Sequence, residues 1–224
     1  MSAVADRDRD RDRDRHRGRA AVSGASDVVR LSMPGSRVEY EPIEAAEVRD
    51  VQQVVELLET VVDPWDRSEP LHLTASALVV HLQSQRVLLR WHERHGRYMQ
   101  VGGHGDPGER DPRAVALREA AEETGLADLH PLAATTGAPA AGSPENQQGD
   151  VVQVVVVHVP ARGDEAAHEH ADLRYIFVTD RPDEARPENE RAHLKWVSWP
   201  EAWELVGESN LRILLERARR LAGW

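Results

Sequence analysis

The chain has 224 residues, no cysteine and a formal net charge of -11. That length suffices for one well-buried domain with appendages. Absence of cysteine excludes disulfides, thiolate metal sites and cysteine nucleophiles, and the acidic balance argues against a broad nucleic-acid or anionic-membrane surface. No apolar run is long enough to span a bilayer and no signal-peptide core follows the start, so a cytoplasmic chain is expected.

Residues 1–35 read as a disordered tail. Asp6–Arg19 sets seven arginines against five aspartates in strict alternation and offers nothing to bury. Such self-compensating charge favours a solvated tail over an anion-binding arm. Residues 36–66 read as a helical segment. Between Pro42 and Val62, the residues Val48, Val51, Val55, Leu58 and Val62 recur at three- and four-residue steps, and Asp63-Pro64 stops the pattern. One apolar stripe favours intramolecular packing; a homodimer contact is compatible with it.

Residues 67–224 read as a single α/β domain. Strands are predicted at Leu71–Leu82, Arg86–Arg90 and Arg97–Val101. A loop rich in Gly, Pro and Ala, Gly137–Gly149, follows a helix discussed below. Asp150–Val159 (DVVQVVVVHV) reads as a fully buried strand. Further strands are expected at Ala171–Thr179 and His193–Ser198, then helices at Pro200–Val206 and Ser209–Ala222, the latter with a Ser N-cap and a Leu211/Leu214/Leu215/Ala218/Leu221 face. Interleaved strands and helices give a layered α/β architecture.

The chemistry concentrates in Gly103–Leu126, GHGDPGERDPRAVALREAAEETGL. Asp111 suits an N-cap and Pro112 the first helical position. On the helix that follows, Glu119, Glu122 and Glu123 share a face. Unpaired, three carboxylates repel; a hard divalent cation with oxygen ligands reverses the sign. A solvated acidic face is the plain alternative.

This stretch resembles the Nudix box, G-x5-E-x7-R-E-U-x-E-E-x-G-U, with U aliphatic. Gly103, Glu109, Arg118, Glu119, Glu122, Glu123, Gly125 and Leu126 fill it. Eight residues rather than seven separate Glu109 from Arg118, and Ala120 is small for the first U. The extra residue falls at Arg110-Asp111, which leaves the direction of Glu109 open. The resemblance implies the Nudix fold, a mixed sheet sandwiched between helices, here with an extra N-terminal helix. It implies a hydrolase that cleaves a pyrophosphate bond in a nucleoside diphosphate linked to another moiety, using Mg²⁺ or Mn²⁺ and water.

It also implies roles. Glu122 and Glu123 correspond to principal metal ligands, and Glu119 to a ligand that also orients or deprotonates water. Arg118 corresponds to the residue that fixes the glutamates, Glu109 to the loop acid that steadies the box, and the Gly103 carbonyl to a further ligand. Gly125 completes the box. Glu190, six residues before Trp196, matches a loop acid that approaches the metal in some members. The run His168-Glu169-His170-Ala171-Asp172-Leu173-Arg174-Tyr175, with Asp63-Pro64-Trp65, resembles a pattern in a bacterial subgroup of the family. Strand alternation puts His168, His170, Asp172 and Arg174 on one face, where they suit substrate or metal. Arg97 closes a basic run, Arg90 to Arg97, that suits either substrate phosphates or a solvated hairpin tip.

Two other readings remain in view. Isopentenyl diphosphate isomerase shares the fold but relies on a cysteine that this chain lacks. A catalytically inactive nucleotide-binding or regulatory domain of the same fold is the alternative, although the three helix glutamates are all present. The expected partner is a small nucleotide-type molecule, with no nucleic acid and no membrane.

Overall fold

A computed structural model describes residues 28–33, 36–106, 108–132 and 151–224. The Asp6–Arg19 run and the Gly137–Gly149 loop lie outside the described residues. No helix among the described residues is long and apolar enough to cross a membrane.

An antiparallel hairpin, β1 (Val29–Met33) and β2 (Ser36–Tyr40), opens the described chain. It crosses the boundary expected between tail and helical segment at residues 35 and 36. Helix α1 (Ala45–Thr60) follows. Then come β3 (Leu71–His81), β4 (Arg86–His92), β5 (Arg97–Met99), β6 (Val101–His104) and α2 (Pro112–Thr124). The remainder is β7 (His130–Pro131), β8 (Gln153–Val159), β9 (His168–Val178), β10 (Leu194–Ser198), α3 (Trp199–Leu205) and α4 (Ser209–Ala222).

Strands β3 to β10 make one mixed sheet whose central path is β10-β4-β3-β9-β7, with β5 on β4, β6 on β3 and β8 on β9. The β3–β9 pair is parallel and the other pairs antiparallel. Alternation along β3 assigns the two faces. Leu73, Ala75, Ala77 and Val79 pack with α1 and α2; Leu78 and Val80 pack with α3 and α4. The expected α/β sandwich is the fold found.

Several local expectations change. The single strand Arg97–Val101 is two strands, because the chain leaves β4 at Met99 and joins β3 at Val101. That switch needs Gly102: at φ 144° its backbone lies against β3 so closely that a Cβ would sit 2.3 Å from Ser76 Cβ. Strand β8 was expected to be fully buried, yet Val156 and Val157 are half-buried and His158 is exposed. It pairs only with β9, so one edge stays unpaired among the described residues. Helix α4 is N-capped by Glu208 rather than Ser209, without a side-chain bond. Helix α3 carries a capping box, Ser198 with Glu201.

The α1 stripe also moves. Val51, Val54 and Leu57 are buried together with Glu47, while Val48 is 40% and Val62 96% exposed. An apolar-only pattern misplaces the stripe because a carboxylate lies in it. Glu47 accepts from Arg217 Nη1 at 2.7 Å and Nη2 at 2.8 Å, from Tyr40 Oη, and from the Ile43 N–H at 2.8 Å. Burial pushes the Glu47 carboxyl up, but these donors together bring it below its ordinary range. Arg217 Nη1 also reaches the Val152 carbonyl at 2.7 Å, so the triad ties hairpin, α1, α4 and the start of β8.

Removing one member of a buried pair strands the other charge. Glu47→Ala is expected to cost about 3–5 kcal/mol in urea unfolding. A joint Glu47→Met, Arg217→Met variant should recover much of that loss. Equal losses in the single and joint variants would contradict the pairing.

Candidate active site

Helix α2 begins as the sequence predicts. Asp111 caps it, its carboxylate accepting from the Arg113 N–H at 3.1 Å, and Pro112 takes the first turn. Gly125 ends it at φ 67° in the left-handed region. The added residue at Arg110-Asp111 is therefore absorbed before the helix, and the glutamate spacing is unaffected.

Arg118 gathers the acids. Its Nε donates to Glu109 Oε1 at 3.0 Å and its Nη2 to Glu109 Oε2 at 2.8 Å, a two-pronged pair. Its Nη1 donates to Glu119 Oε1 and Glu122 Oε2, both at 3.0 Å. Its Nη2 also donates to the His104 carbonyl at 3.0 Å. The open question about Glu109 is thereby answered: it faces Arg118, and it accepts from the Asp106 N–H at 2.6 Å. The Arg118 hydrogen bonds hold Glu109 below the usual carboxylate range.

Glu123 points the other way. It accepts from the Gly102 N–H at 3.0 Å and lies 3.3 Å from Arg90 Nη1. Arg90 also contacts Glu188 at 3.2 Å. Burial pushes Glu123 up to about 7, against the pull of Arg90 and the Gly102 N–H. Burial also raises Glu119, with Arg118 opposing.

Two glycines allow close approach here, one to an acid and one to a ring. A Cβ on Gly103 would sit 2.6 Å from the Glu119 carboxylate, and one on Gly105 2.6 Å from the Trp65 ring. Trp65, of the Asp63-Pro64-Trp65 run, thus forms the floor of the glycine loop. The oxygen-only, partly buried donor set fits a hard divalent cation, and the excess of acid over base on this face leaves charge for one to neutralise.

A cavity of about 660 Å³ adjoins Glu123. Arg90, His92, Arg94, Glu123 and Glu190 are among its lining residues. Glu190 is thus on the same cavity as Glu123. Arg90 Nε, His92 Nδ1 and Arg94 Nη2 are buried and find no hydrogen-bond partner among the described residues. The sequence left this run as either a phosphate contact or a hairpin tip; it lies on the β4–β5 hairpin, and Arg90 reaches Glu123.

Other candidates lie elsewhere. Arg97 donates to Glu208 at 3.1 Å, at the entry to α4, and is not among the residues lining that cavity. Strand β9 does start at His168, so His168, His170, Asp172 and Arg174 do share a face. Asp172 and Arg174, expected to meet substrate, are 5% and 1% exposed and are paired inside the domain. Arg174 donates to Asp172 at 2.7 Å, Gln153 at 3.1 Å and Asn210 at 3.3 Å. Asp172 also accepts from Ser76 at 2.8 Å and Thr74 at 3.3 Å. This is an internal polar network joining β3, β8, β9 and α4. Sequence reasoning overlooked His72 and His104, whose rings lie 5.0 Å and 4.8 Å from that of His170. Their separation in sequence left no local signal.

The NUDIX domain model matches residues 70–217. No curated protein matches the sequence. Among solved structures, a C. elegans Ap4A hydrolase binary complex is similar at 19% identity, over 68% of this chain and 98% of that one, with a TM-score of 0.48. A NUDIX-family hydrolase from Clostridium perfringens is similar at 21% identity, over 67% and 97%, with a TM-score of 0.48. The E. coli dihydroneopterin triphosphate pyrophosphohydrolase is similar at 14% identity, over 66% and 94%, with a TM-score of 0.49.

Gly103→Ala is expected to displace Glu119 and lower turnover more than stability, read by kcat beside a melting curve. Arg174→Ala is expected to do the reverse, costing about 3–5 kcal/mol by stranding Asp172. Normal stability with a raised KM in Arg174→Ala would restore a substrate-binding role. With the match covering most of the chain and Arg118 holding the box acids Glu109, Glu119 and Glu122, the chain belongs to the NUDIX domain family.

Proposed function

We propose that this chain is a Mg²⁺-dependent hydrolase of a nucleoside diphosphate linked to another moiety, with Mn²⁺ as a working substitute. The observation that carries the reading is the single guanidinium of Arg118 bonded to Glu109, Glu119 and Glu122. Glu119, Glu122 and Glu123, with the Gly103 carbonyl, would hold the ion, and Glu190 would approach from its loop. When bound there, the ion would offset the diphosphate charge and polarise phosphorus. Glu119 takes the proton of the attacking water, its basicity raised by burial. The P–O–P link then breaks, one phosphoryl group gaining the water oxygen and the other leaving as a phosphate.

The cavity beside Glu123 supports an anionic substrate. Its lining carries the guanidinium groups of Arg90, Arg94 and Arg191, suited to phosphate oxygens, beside the carboxylates of Glu93, Glu123 and Glu190, suited to a bridging cation. The same reading puts the chain in the bacterial subgroup marked by the His168–Tyr175 pattern. Its support is that Trp65 lies against Gly105 and His170 against His104, at the two sides of one glycine loop.

The test is a panel of dNTPs, ADP-ribose, nucleotide sugars and dinucleoside polyphosphates with Mg²⁺, scored by phosphate or monophosphate release. At least one should turn over, and Glu122→Gln should lower kcat on the order of 10³-fold, about 4 kcal/mol of transition-state stabilisation. Full turnover by a folded Glu122→Gln at low Mg²⁺ would overturn the metal assignment. Silence across the panel would overturn the substrate class.

A further inference from the structure

We propose that His72, His104 and His170 form a second metal site, for a divalent transition metal of the zinc class, with His168 within reach as a fourth ligand. The inference goes beyond the hydrolase reading and does not depend on it.

Three strands converge to build the cluster. His72 of β3 pairs in register with His170 of β9, and Thr74, two residues on, pairs with His104 at the end of β6. One ligand atom from each of the three histidines lies within 4.8 Å of the others. Ring centroids of His72 lie 5.2 Å from His104, 5.0 Å from His170 and 5.3 Å from His168.

The nitrogen spacing suits a metal. His72 Nε2 lies 3.2 Å from His104 Nε2, and His168 Nε2 lies 3.1 Å from His170 Nε2. Ligands about 2.0–2.1 Å from a tetrahedral zinc stand roughly 3.3 Å apart. Each close pair therefore already spans one edge of such a tetrahedron, and the separations among His72, His104 and His170, all within 4.8 Å, need close by no more than about 1.5 Å.

The outer ring nitrogens reinforce this. His72 Nδ1 donates to the Glu69 carbonyl at 2.9 Å, and His168 Nδ1 to the Ala166 carbonyl at 3.0 Å. A hydrogen bond of that kind fixes the tautomer and leaves the Nε2 lone pair aimed inward, as around metal-bound imidazoles. Burial also holds His72 below the usual imidazole range, with His104 lowered to about 4 and His170 to about 3, so neutral rings are available at neutral pH. His72 is buried and the other three are half-buried, which leaves a route for the ion. All-imidazole donors suit zinc, copper or nickel, in contrast to the oxygen donors on α2.

The ion would staple β3, β6 and β9 where the glycine loop departs. His104 is the link, since its carbonyl accepts from Arg118 Nη2. Its sequence signature is discontinuous, with His72, His104 and the His168–His170 pair far apart in the chain.

The test uses the untagged full chain with Zn²⁺ or Co²⁺ as the only probe. In equilibrium dialysis against excess Mg²⁺, one Zn²⁺ per chain should be retained, and Zn²⁺ should raise Tm. Glu119→Gln should keep that ion; His104→Ala and His170→Ala should lose it. The wild-type Co²⁺ complex should show the intense visible absorption of a four-coordinate, nitrogen-ligated ion, a readout that stands even if a histidine variant fails to fold. A weak six-coordinate Co²⁺ spectrum, or Zn²⁺ retention lost in Glu119→Gln but kept in folded histidine variants, would overturn the site and leave a cluster of imidazole–imidazole hydrogen bonds.

Discussion

One guanidinium sets the geometry of the site. Arg118 spends its donors on Glu109, Glu119, Glu122 and the His104 carbonyl, so a loop acid, two helix acids and the end of β6 are fixed relative to one cation. Without it, Glu119 and Glu122 would sit on the same helix face with only repulsion between them. Glu123 is handled separately. The Gly102 N–H and Arg90 hold it on the opposite flank, facing the cavity. Two arginines thus face four carboxylates from two flanks, which leaves net negative charge between them.

The sheet supplies the remaining precision. Helix α2 approaches β6 closely only because Gly103 has no side chain beneath Glu119, and β6 approaches β3 closely only because Gly102 has none beside Ser76. Trp65 closes the loop from below, against Gly105. The opposite sheet face carries a polar column, from the imidazoles of His72 and His170 through Thr74 and Asp172 to Ser76 and Arg174. Burying such a column costs stability unless each group is paired. Asp172 and Arg174 are paired, with Gln153 and Asn210 completing the guanidinium contacts.

Local patterns were the legible part of this chain. The box helix, its Asp111 cap, its Gly125 stop and the α4 face follow from spacing along a few turns, and the structure has them. What the sequence concealed depends on long-range pairing. The Arg90–Glu123 contact spans β4 and α2. The four imidazoles come from three strands brought together by the parallel β3–β9 pair. The α1 stripe was misread for a related reason: Glu47 is buried only because Arg217, near the far end of the chain, neutralises it. For Arg174 the face it occupies was legible but its burial was not.

The central claim is that Arg118 organises the carboxylates proposed to bind metal, and one measurement addresses it most directly: a Mg²⁺ titration of turnover in Arg118→Ala beside wild type, with the fold checked by circular dichroism. The account predicts a weaker apparent Mg²⁺ affinity and a kcat/KM lower by about 10–100-fold, the usual cost of losing a residue that orients metal ligands. A folded Arg118→Ala with wild-type Mg²⁺ dependence and wild-type kcat/KM would contradict it.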